Sequence, residues 1–336
     1  STKDLSLDEI YSLAKNVMLA NGCDTANAEA LADIICEQLY GGEIDRSDLN
    51  TALEQISRDL WTHQYRNLRL QTGISKAPWR LPDLIDRDIT QPVYRAVFTA
   101  HPVFALRPDV SMALCCDAEA DQMQMPDKPY AQRRHVTLQD EHAEAMETIC
   151  NARRAISDLN TDILRQCQEH KPRDWRSRLP QMMGVSTWVG YDLDGRSDIT
   201  WADSFKLRLT EKAKALGIYV DALRLTTSKA IKPIIEKLDT ELEATRADIN
   251  RFERLTTKTN DFVTTVNALT ERKDKLTSSY AIADQIHAIA KSHENSEEAR
   301  QLMVIAADIR THGFGMAEVH LRINAVQLRN AMRPVD

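Results

Sequence analysis

Residues 234–312, IIEKLDTELEATRADINRFERLTTKTNDFVTTVNALTERKDKLTSSYAIADQIHAIAKSHENSEEARQLMVIAADIRTH, run for 79 positions without a proline or a glycine. Proline removes a helical hydrogen bond and glycine costs about 1 kcal/mol against alanine, so a span this long without either predicts helix. Ile231, Ile235, Leu238 and Leu242 recur at alternating fours and threes, and Ile249, Phe252, Phe262, Val266 and Leu269 extend the stripe. The heptads slip after Leu242, so the pattern favours a long antiparallel hairpin over 229–312 rather than a dimeric coiled coil.

Working outward, helical spacing dominates. Ile10, Leu13, Val17 and Ala20 mark one helix, and Asp24 caps a second through Ala28, Leu31, Ile34, Ile35 and Leu39. Further helices are predicted over 49–70, 109–123 and 138–169, with a loop at 124–129, and helix resumes at Trp201. The 138–169 helix carries Leu138, Ala145, Ile149, Ala152, Ile156, Leu159 and Ile163 on one side. Strand character is confined to Val93–Ala100, the apolar Met182–Tyr191 segment and Gly315–Asn324. In the last, Ala317, Val319, Leu321 and Ile323 alternate with Glu318, His320, Arg322 and Asn324. The fold class read from this is mainly α with few short strands, in four regions: 1–92, 93–228, 229–312 and 313–336.

Composition narrows the function classes. A net charge of -7 gives no broad attraction to nucleic acid, and local groups such as Arg173, Arg176 and Arg178 read as solvated faces. No apolar run reaches the length of a membrane span. The first residues carry acids ahead of their apolar positions and do not read as a signal peptide. The six cysteines lack metal-type spacing and are expected as reduced thiols in a cytoplasmic protein.

Three stretches carry chemistry. Val93–Ala100 runs into His101-Pro102, which fixes an imidazole at a strand end, as a general acid–base or as a cap. Trp188-Val189-Gly190-Tyr191-Asp192-Leu193-Asp194-Gly195 places two aspartates beside glycine, in an anion-rich or simply tight turn; the ligands of a calcium loop are missing. Arg322 offers a planar guanidinium on a strand, suited to phosphate or carboxylate, or to an ion pair.

Their order resembles the phosphoenolpyruvate carboxylase family, which reads TAHPTE, then W-x-G-G-D-R-D-G-N-P, then a glycine nine residues before the arginine of a D-I-R strand. This sequence keeps Thr99-Ala100-His101-Pro102, and Trp188, Gly190, Asp192, Asp194 and Gly195. Gly313 and Arg322 fit the third spacing. A register from Phe314-Gly315 instead sets Arg322 at the family's aspartate and Asn324 at its arginine. The resemblance implies the N-terminal part of a helix-rich (β/α)8 barrel. Its reaction joins phosphoenolpyruvate and bicarbonate, through carboxyphosphate and an enolate, to give oxaloacetate and phosphate. It implies catalytic roles for His101 and Arg322, and substrate contacts for Arg107, Asp192 and Asp194. Magnesium or manganese is the implied cofactor, its ligands lying downstream of the Arg322 strand in the family and so not in this sequence.

Departures accompany the match. Val103 and Phe104 replace the family's threonine and glutamate, and Leu193 replaces an arginine. Weak phosphoenolpyruvate binding is therefore expected, and the chain is read as incomplete or inactive by itself. A homo-oligomer or a further C-terminal portion is the expected partner. The alternative function is a non-enzymatic helical scaffold derived from the same family.

Overall fold

A computed structural model describes residues 6–20, 23–43, 45, 48, 49, 51, 60, 89–99, 137–193, 199–258, 262–273, 275–323 and 325–332. Of the helix expected at 49–70 only residues 49, 51 and 60 are described, each of them helical, while the helix at 109–123, the 124–129 loop, and His101, Arg107 and Asp194 lie outside the described residues. The chain forms two compact units, Ser1–Trp79 with Ala100–Thr137, and Arg80–Thr99 with Leu138–Asp336.

In the first unit, α1 (Leu7–Ala20) packs on α2 (Thr25–Tyr40). Ile10, Ala14 and Met18, spaced by four, are fully buried against Ala28, Ala32 and Ile35; the alanines let the two backbones approach closely. Each helix starts on a side-chain cap. The Ser6 amide donates to the Glu9 carboxylate at 2.7 Å, and Asp24 accepts from the Asn27 amide at 3.0 Å.

The second unit is mainly helical around one small sheet. Its elements are β1 (Tyr94–Phe98), α3 (Leu138–His170), β2 (Met183–Thr187), α4 (Trp201–Arg224), α5 (Lys232–Lys258), α6 (Phe262–Thr270), α7 (Tyr280–Ser292), α8 (Ser296–His312), β3 (Glu318–Val319) and α9 (Ala325–Ala331). The strands pair in parallel in chain order, β1–β2–β3, with Phe98 level with Thr187 and Thr187 level with Val319. Parallel neighbours need long crossovers, and helices supply them.

The described residues of the span without proline or glycine form four helices, α5 to α8; in place of one hairpin over 229–312, α5 pairs with α4, which precedes the span, and α7 pairs with α8. Lys206–Glu253 and Arg224–Asp239 ion pairs show α4 and α5 running antiparallel. Arg310 on α8 reaches Asp284 and stacks on Tyr280, both on α7, in the same antiparallel sense. Side chains make the breaks. Asn295 caps α8 through the Glu297 and Glu298 amides, at 2.8 and 3.2 Å. After α6, buried Glu241 draws the link inward by accepting from Arg272 (2.7 and 2.9 Å), Lys212 (2.5 Å) and the Leu276 amide (3.1 Å). Burial alone would raise the Glu241 pKa, but these donors hold it at about 2.

A polar cluster ties α3, α4 and α8 to the sheet. Arg153, buried in the apolar stripe of α3, donates to both Asp308 oxygens at 3.2 and 2.5 Å and to Tyr219 at 2.9 Å. His312 accepts from the Val185 amide through Nε2 at 3.3 Å, so its Nδ1 carries the proton it shares with Asp308 at 2.7 Å. Burial opposes the Asp308 charge, yet Arg153 and His312 keep that carboxyl at about 2.

Candidate functional site at the C-terminal edge of the sheet

The register brings three chain segments out at one level: Thr99 after β1, Trp188 after β2 and His320 after β3. The residues between Trp188 and Leu193 turn sharply. Gly190 has φ +86°, which disfavours any side chain, and a Cβ there would sit 2.2 Å from Leu207 Cδ1, so that methyl would have to move. The turn closes through the Tyr191 amide on the Trp188 carbonyl at 2.8 Å, and Ser204 donates to the Gly190 carbonyl at 2.7 Å.

Beneath the turn lies a buried acid. Glu211 on α4 accepts from the Tyr191 hydroxyl at 2.9 Å and from Arg208 at 3.2 Å, with His142 Nε2 at 3.0 Å. Burial first, and the Glu211 carboxylate beside it, push the Tyr191 hydroxyl well above its usual range, so it stays a donor. The network fixes the turn on α3 and α4.

The turn is laced to the chain after β3. His320 N–H donates to the Thr187 carbonyl at 2.9 Å, Arg322 N–H to Tyr191 at 3.1 Å, and Leu193 N–H to Arg322 at 2.9 Å. This sets Asp192 beside Arg322 in an isolated parallel bridge. Their side chains then meet: Arg322 donates to Asp192 Oδ2 at 2.9 Å, and its guanidinium lies 5.5 Å from the Trp188 ring centre. Asp192 and Arg322, separate candidates from the sequence, are thus in direct contact, with Arg322 half-exposed and its charge opposed by the aspartate.

One side of the sheet is polar. Arg95 and Gly184 lie on the same face as Val97, Ser186 and Glu318. Arg95 forms an ion pair with Glu318 across β2. A Cβ on Gly184 would be 3.7 Å from the Arg95 Cζ, which places the guanidinium over that glycine. The Ser186 hydroxyl beside it is buried with no hydrogen-bond partner among the described residues. Sequence reasoning missed Arg95, although its alternation with Tyr94 and Ala96 was the available signal. It also missed Glu211 and His142, which pair with each other across 69 residues of sequence.

For a divalent ion, the described donors do not fit: among the described residues no three His, Cys, Asp or Glu side chains converge, and Asp192 is held by Arg322. What the arrangement offers is a fixed cation on an aromatic face at a sheet edge, neutralised by its neighbour. No known family model matches the chain, and no curated protein is significantly similar to it.

Proposed function

We propose that the chain is a phosphoenolpyruvate carboxylase-like protein whose sheet forms the opening arc of a (β/α)8 barrel. The observation that carries the reading is the parallel order β1–β2–β3, with three chemistry-bearing stretches leaving at one edge. Barrel strands are neighbours in chain order, and barrel enzymes place their reacting groups at that edge. In the family reaction bicarbonate attacks the phosphorus of phosphoenolpyruvate, and the released carbon dioxide is captured by the enolate. His101 would serve the bicarbonate and carbon dioxide end, Arg322 the phosphate, and Arg107, Asp192 and Asp194 the remaining substrate contacts.

The same residues argue that this chain does not complete the reaction by itself. Asp192 occupies the guanidinium a phosphate would need, and its carboxylate repels a dianion. Phe104 and Leu193 put apolar side chains where the family carries charge.

The test is oxaloacetate formation from phosphoenolpyruvate and bicarbonate with magnesium or manganese, alongside calorimetric binding of phosphoenolpyruvate. No turnover is expected, with weak binding that Asp192→Asn tightens and Arg322→Gln removes. Turnover abolished by His101→Ala would overturn the inactive assignment. Complete absence of binding would favour a second reading, a non-enzymatic interaction protein of the same descent. The exposed Leu321, Ile323, Val326 and Leu328 favour that reading, since apolar side chains grouped in one segment suit contact with another surface.

A further inference from the structure

At the opposite, amino-terminal end of β2, the loop after α3 and the turn between α7 and α8 enclose an open cleft of about 670 Å³. Its polar lining is Gln168, Arg173, Arg176, Ser177, Lys291 and Ser296, and none of these is acidic.

The hydrogen bonds around the cleft leave donors facing it. Arg176 donates to the His293 carbonyl at 2.6 Å, to the Lys291 carbonyl at 3.3 Å and to Ser296 Oγ at 3.2 Å, and stacks over Trp175 at 4.9 Å. Each of these partners is neutral, so the guanidinium is held rigidly while its charge is not cancelled. Ser296 Oγ accepts from Arg176, which leaves its own proton to give. Gln168 Oε1 accepts from Arg300, and because arginine only donates, the Gln168 amide NH2 is the end left over. Arg300 is itself buried, and its Nε has no hydrogen-bond partner among the described residues. Glu297, the acid next to Ser296, is engaged by Arg300. Arg173 and Lys291 stand exposed at the rim.

The geometry points to a binding site for the phosphate group of a small phosphorylated molecule. A tetrahedral dianion has acceptor oxygens on every side and meets Arg173, Arg176, Lys291, the Gln168 NH2 and the Ser296 hydroxyl with no acid among them, while the Ser177 proton goes to the Asp174 carbonyl at 2.6 Å. The cleft exceeds the volume of phosphate alone, so the remainder of a phosphate monoester fits beside it. The site shares no residue with the Arg322 edge and does not rest on the function proposed above.

Calorimetric titration with inorganic phosphate, glycerol 3-phosphate and glycerol tests it. Phosphate and glycerol 3-phosphate are expected to bind and glycerol not. Arg173→Gln with Lys291→Gln, both exposed and so compatible with the fold, should weaken binding by about tenfold or more. Gln168→Glu, which puts a carboxylate in the cleft, should abolish it, and Arg322→Gln should change nothing. Phosphate binding by the double variant equal to that of the parent, or no binding by the parent, overturns the proposal. Binding of phosphate but not of glycerol 3-phosphate would overturn the monoester and leave the anion.

Discussion

The hydroxyl of Tyr191 donates to Glu211 Oε1 at 2.9 Å, joining the turn after β2 to the middle of α4. Tyr191→Phe keeps the ring and removes only that bond, leaving a buried carboxylate short of a donor. A loss of about 1–3 kcal/mol is expected in urea unfolding, with the slope unchanged. A smaller loss would mean that His142 and Arg208 suffice for Glu211.

Gly190→Ala forces a side chain into a left-handed backbone position and against Leu207. Strain and overpacking together should cost about 2–4 kcal/mol. Leu207→Ala in the same chain relieves the contact but not the backbone term. The two changes should therefore combine to less than the sum of their separate losses.

At Gly184 the added atom would meet Thr311 Cγ2 at 3.2 Å and touch the Arg95 guanidinium at 3.7 Å. Gly184→Val is expected to destabilise by about 1–3 kcal/mol. It should also uncouple Arg95 from Glu318. A double-mutant cycle on that half-exposed pair should give at most about 1 kcal/mol in the parent and nothing in the valine background.

Acid should unfold the second unit in a defined window. Glu241 and Asp308, with ordinary values of 4.5 and 3.8, are both held at about 2 when folded. The unfolded chain therefore takes up protons first, and stability falls as pH drops from about 5 towards 2 while staying level above about 6 as far as these groups act. Urea midpoints measured across that range check it, and an unchanged midpoint between pH 5 and 3 would contradict it.

Much of the fold is readable because helices and strands repeat. The stripe of α3 and the cap at Asp24 are local patterns that a sequence displays directly, whereas of the strand expected over Gly315–Asn324 the described residues form only Glu318–Val319, with Leu321 and Ile323 exposed. Asp192 and Arg322 were both candidates on local chemistry, and the structure sets them side by side. What could not be read is the pairing of remote polar residues. Arg153 falls in the apolar stripe of α3 beside Arg154, a like charge, and only the fold supplies Asp308 and Tyr219. The breaks after α6 and before α8 were hidden for the same reason: Glu241 and Asn295 hold them with side chains, where proline and glycine would have shown in the sequence.

The strand pairings also fix an order of assembly. Val97 pairs with Ser186 and Ser186 with Glu318, so each pairing must close a loop holding one or more whole helices. Helices and the α4–α5 and α7–α8 hairpins need only nearby residues and can form early, while sheet closure bears most of the entropy of bringing distant chain together. The contact between Asp192 and Arg322 is therefore among the last to appear during refolding. A probe on that pair should report a slower phase than helix content does.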